Sequence, residues 1–125
     1  MLPIHNQVQL IGRAGHQPAL NHLSDTSLRA TLRLYQDGLA TASGRSSQVH
    51  HLVAWTGVAR QLGERVRRGD RLLVQGKLLY RRFVTEGVTH VRAEIHVSHF
   101  EVMAGKTHGT AGNTSRREEN EDGNE

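Results

Sequence analysis

Apolar and polar positions alternate over most of the chain. In residues 28–35 (LRATLRLY), Leu28, Ala30, Leu32 and Leu34 share one face, and Arg29, Thr31, Arg33 and Tyr35 share the other. A strict period of two with one polar face predicts a half-buried strand. Residues 6–13 (NQVQLIGR) predict an earlier strand, and Gly12, Gly15 and Pro18 a turn after it. No Gly-Lys-Ser/Thr element follows those glycines, so they do not read as a phosphate loop. Residues 36–48 are rich in Gly, Ser and Thr and predict a flexible hairpin connection carrying one cation, Arg45. Residues 49–55 alternate again, with Val49, His51, Val53 and Trp55 opposite His50, Leu52 and Ala54.

The period then changes. Val58, Leu62 and Val66 recur every four residues, the stripe of a short amphipathic helix. Arg67, Arg68 and Gly69 suit its C-terminal end. Residues 71–84 return to alternation as a long strand. Leu72, Val74, Leu78 and Tyr80 lie on one side, and Arg71, Gln75, Lys77, Arg81 and Phe83 on the other. Leu73 and Leu79, if they point outward with the second set, suggest a subunit contact. Gly76 predicts a bulge or sharp bend. After a Glu86-Gly87 turn, residues 89–103 form the last strand, whose apolar register shifts near Ser98 and His99.

The 125 residues bound one domain with a modest core, and the absence of cysteine excludes disulfides and thiolate metal sites. No apolar run approaches the ~20 residues of a membrane span, and the first residues do not read as a signal peptide. Charge is uneven. Residues 1–105 carry 13 basic against 7 acidic side chains, a net of +6, while residues 106–125 carry 3 against 5, a net of −2. Residues 1–104 are expected to fold and 105–125 to form a disordered acidic tail. A basic body favours a polyanionic partner. Eight Lys or Arg side chains fall between His50 and Phe83, with Arg45 and Arg92 flanking them.

The order strand, strand, strand, helix, strand, strand predicts an all-β fold. A five-stranded antiparallel OB barrel has this order, with its short helix between strands 3 and 4; other small barrels are compatible with the pattern. Three stretches go further. NQVQLIGRAGHQP (residues 6–18) resembles the opening of bacterial single-stranded-DNA-binding proteins, where an Asn-x-Val strand runs into Gly-x-x-Gly and then Pro. HLVAWTGVA (51–59) resembles their third strand and helix start. VRRGDRLLVQGKL (66–78) is similar to their basic-Gly turn and Val-x-Gly-x-Leu strand. The resemblance covers about residues 4–103.

It implies a sequence-tolerant, non-enzymatic binder of single-stranded DNA, acting in replication, recombination and repair in the cytoplasm, with the nucleoid. The implied partners are single-stranded DNA and further copies of the chain, as a homotetramer or a dimer, with no cofactor and no membrane. Stacking rings fall on Trp55 and Phe83, backbone-binding cations on Arg68 and Arg82, and a polar contact on His50. A third stacking position falls on Val49, which has no ring; a fourth lies near residues 36–39, with Tyr35 the nearest aromatic. Gly57 stands where the family often has Lys. The residues themselves add Arg81, Lys77 and Arg33 as phosphate-binding candidates, since an arginine beside a ring can both neutralise a phosphate and stack. The acidic C-terminus lacks the family's apolar tip, through which replication and repair proteins are recruited. That absence and Val49 favour an alternative, a primosome-type adaptor that mainly binds replication proteins. A protein-interaction module with a basic face is a further alternative. The nine histidines show no convincing ligand spacing, and no hydrolytic constellation is recognisable.

Overall fold

A computed structural model describes residues 5–104. Six strands and one helix follow in the order β1 (Val8–Ala14), β2 (Ala19–His22), β3 (Leu28–Thr41), β4 (Gly44–Trp55), α1 (Thr56–Arg65), β5 (Arg71–Thr85) and β6 (Val88–Ala104). Five of the strands close a ring in the order β1-β5-β6-β4-β3, with β1 returning to pair with β3 at Arg13↔Tyr35 and Ala14↔Leu34. This is the OB barrel, with its helix between the third and fourth strands of the ring. Every neighbouring pair is antiparallel except β4 and β6, where His51, Leu52 and Val53 run parallel to Glu94, Ile95 and His96. A ring with an odd number of strands cannot alternate direction all the way round, so the expected wholly antiparallel set gains one parallel pair.

Two loop expectations are corrected. The glycine turn does end β1, but the chain then adds β2, which pairs with β3 from Ala19↔Thr31 to His22↔Leu28. All four β2 residues are exposed, so no burial pattern marks them; backbone pairing makes the strand, and the Leu20 side chain lies over Gly63 of α1. The Gly/Ser/Thr-rich residues 36–48 are a paired ribbon rather than a flexible connection. β3 and β4 stay in register to Thr41↔Gly44 across one bulge after Gln36, leaving Ala42 and Ser43 as the turn. The ladder satisfies its own backbone groups, and Ser47 Oγ donates to Asp37 Oδ1 at 2.8 Å, so the ribbon needs no apolar face.

The core is the inward set of the alternating strands. Leu32, Leu34, Leu52, Leu72 and Val74 are essentially fully buried, and α1 adds Ala59 and Leu62, with Val66 just beyond it. Full burial of a leucine contributes about 1.5–3 kcal/mol. The helix ends at Val66 in extended conformation, so Gly69 is not its cap. Gly69 takes φ +89° one turn later, where the Asp70 N–H donates to the Arg67 carbonyl at 3.0 Å.

Gly76 and Ser98 form one irregularity. The β5–β6 register slips between Gln75↔His99 and Gly76↔Val97, leaving Ser98 unpaired. A Cβ on Gly76 would collide with the His96 carbonyl, so only glycine lets the strands approach there. The slip puts both Val97 and Phe100 in the core. Beyond it β5 and β6 run on as a two-stranded arm closed by Glu86-Gly87, whose φ values of 51° and 78° suit a two-residue hairpin turn. The acidic segment 105–125 lies outside the described residues. Among the described residues, no helix is long and apolar enough to cross a membrane.

Candidate nucleic-acid interface

The outward set of β3 and β4 lies in four cross-strand pairs: Arg29↔Trp55, Thr31↔Val53, Arg33↔His51 and Tyr35↔Val49. Adjoining it through the parallel pair is the outward set of β6 and β5, with Leu79↔Glu94, Arg81↔Arg92 and Phe83↔His90. Between them opens a cleft of about 750 Å³. Arg29, Arg33, Arg81 and Arg92 supply its cations, Trp55 its ring, His16, His51 and His96 its imidazoles, and Glu94 its one acid.

Trp55 and Phe83 both belong to this surface. Trp55 is 41% exposed, and its indole N–H donates to His96 Nδ1 at 3.3 Å. Phe83 lies on the arm beside the cleft and is half-buried. His90 stacks on it with ring centroids 5.2 Å apart, and the Arg92 and Arg81 guanidiniums lie 5.1 and 5.5 Å from the ring centre. A base stacked there would join planar cations as well as a ring.

The other predicted residues divide. Arg33 and Arg81 line the cleft, and Lys77 shares its face as the cross-strand partner of His96. Arg82 alternates to the opposite face of the arm, across from Val91 and between Tyr80 and Val84. His50 turns to the inner side of β4, where its Nε2 lies 2.8 Å from Gln36 Oε1. Arg68 sits in the turn after α1 and does not line the cleft. Tyr35 has the outward parity of Arg33, but its ring packs over Gly15, where a Cβ would collide with it. The crossing segment is tied down nearby, since the Gly15 N–H donates to the Arg33 carbonyl at 2.8 Å and the Arg33 N–H donates to His16 Nε2 at 3.1 Å. Leu79 is exposed at the cleft, and Val49 is exposed without a ring.

Alternation could have found Arg29, which shares its face with Arg33. Alternation also sets Glu94 and His96 opposite Ala93, Ile95 and Val97, but nothing in it brings them beside His51 and Trp55, because that meeting depends on the parallel pairing. Burial lowers the His51 pKa, the Arg92 and Arg33 charges lower it further, and Glu94 opposes them. Burial also lowers that of His50. Among the described residues, no three His, Asp or Glu side chains are grouped to hold a metal ion.

The model of the single-strand binding protein family matches residues 5–103 of the chain. No curated protein matches it.

Proposed function

The chain belongs to the single-strand binding protein family, a non-enzymatic family whose domain supports single-stranded DNA binding, and from that premise we propose that it covers exposed single strands without regard to sequence. It does so during replication, recombination and repair, in the cytoplasm with the nucleoid, and as a homotetramer. The observation that carries this reading is the cleft that four arginines line together with Trp55, two of them, Arg81 and Arg92, lying beside Phe83. Arginines neutralise phosphates, and rings accept any of the four bases, each stack contributing ~1–3 kcal/mol. Self-association is supported by Ile11, 38% exposed beside Leu73 on the outer side of the β1–β5 pair.

Titration with poly(dT) tests the proposal. Binding should quench the single tryptophan, and log K should fall with log salt by ~0.7 per phosphate neutralised. No binding at low salt would reject it. Val49, 46% exposed where the family resemblance calls for a ring, favours a second reading, a dimeric primosome-type adaptor that mainly binds replication proteins. Mass measurement in solution separates dimer from tetramer.

A further inference from the structure

Glu94 is out of place by charge alone. It lies in a cleft lined by four arginines, where a polyanion would be repelled by it, yet it is only 5% exposed. Both its oxygens are engaged. Oε2 accepts from Arg81 Nε at 3.1 Å, and Oε1 lies 3.3 Å from His96 Nε2. His96 Nδ1 lies 3.3 Å from the indole nitrogen of Trp55. An indole N–H can only donate, so Nδ1 accepts and the ring hydrogen sits on Nε2, pointing at Glu94. One hydrogen-bonded chain therefore runs from Trp55 through His96 and Glu94 to Arg81, whose guanidinium lies 5.5 Å from the centre of the Phe83 ring.

The backbone makes this possible. Pairing of β4 with β6 turns Ile95 into the core and leaves Glu94 and His96, two residues apart, on the cleft side. Pairing of β5 with β6 brings Arg81 diagonal to Glu94. We infer that Glu94 and His96 are positioning residues of the DNA cleft: together they hold the Trp55 indole and the Arg81 guanidinium, and so align the stacking sites at Trp55 and Phe83. The inference rests on the function proposed above. Because Arg81 spends Nε on Glu94, its two terminal amino groups stay available for phosphate.

Electrostatics and positioning predict opposite signs for Glu94→Gln. Removing a negative charge from the cleft should by itself tighten DNA binding. Glutamine, however, offers one acceptor where Glu94 offers two, so either Arg81 or His96 would face an amide NH2 and the chain would break. Positioning therefore predicts weaker poly(dT) binding, by roughly tenfold, the scale of one lost stack, with the salt slope unchanged. His96→Leu should weaken binding similarly. His96→Gln, which can accept from the indole and donate to Glu94, should retain it.

The free protein provides a separate readout. The single indole N–H resonance should exchange faster with solvent in His96→Leu than in the native protein, and at the native rate in His96→Gln. Should Glu94→Gln fail to fold, the two variants at the partly exposed His96 carry the test. Native or tighter binding by Glu94→Gln would overturn the inference, as would an unmoved indole signal in His96→Leu. Failure of the native protein to bind poly(dT) is a different result. It removes the proposed function, and this inference with it, whatever the variants do.

Discussion

Asn6 and Leu78 are joined by two hydrogen bonds although 72 residues separate them. Asn6 Nδ2 donates to the Leu78 carbonyl and the Leu78 N–H donates to Asn6 Oδ1, each at 2.9 Å. The β1–β5 ladder ends at Val8↔Gly76, and the Asn6 side chain stands in for the next backbone pair where the arm begins. Asn6→Ala should cost ~1–2 kcal/mol, from two bonds of modest net worth. Chemical denaturation would measure it, and faster exchange of the Leu78 amide would localise it.

The two faces of the arm should behave differently towards DNA. Phe83→Ala should weaken binding by ~1–3 kcal/mol, the worth of a stacked base. Arg81→Ala should weaken it and lower the salt slope by about 0.7 if Arg81 neutralises one phosphate. Arg82→Ala, on the opposite face, should leave the slope nearer its native value. Poly(dT) titrations across salt compare all three, and equal slopes for Arg81→Ala and Arg82→Ala would count against the cleft as the path of the strand.

Leu62 is the residue through which α1 closes the barrel, and it is 1% exposed. Leu62→Ala removes buried methyl groups and leaves a cavity among strands that cannot collapse freely. A loss of ~2–5 kcal/mol is expected, read from urea midpoints at constant m-value.

Acid should destabilise the fold through β4. Folded His50 and His51 titrate below the ordinary histidine value of about 6.5, so the unfolded chain binds more protons as pH falls through that value. Their contribution to stability is present above about pH 6.5 and is lost between there and their lowered folded pKa values. Thermal melts at pH 7.5 and 5.5 should show a smaller drop in the His50→Gln/His51→Gln double variant than in the native protein.

Alternation and the four-residue stripe were enough to define the main strands, the helix, the bulge near Ser98 and most of the core. Each depends on local periodicity, and burial on one face imposes that periodicity directly. By the same logic, Arg29 and Arg33 could be assigned to the outward face of their strand, and Arg81 and Phe83 to a common face of theirs, before any strand was paired, whereas apolar residues on both faces of 49–55 left the side taken by Trp55 open. The exposed strand β2 and the polar ribbon of β3 and β4 could not be read this way, because backbone pairing holds them without an apolar pattern. Only the tertiary structure set the Arg81 face of the arm, rather than the Arg82 face, beside the cleft, turned His50 inward and laid Tyr35 against Gly15. It alone brought Glu94 and His96 to Trp55, since their contact depends on a parallel pairing between strands some forty residues apart. Periodicity tells each residue which side of its own strand it takes; which strand lies alongside is decided by closure of the barrel.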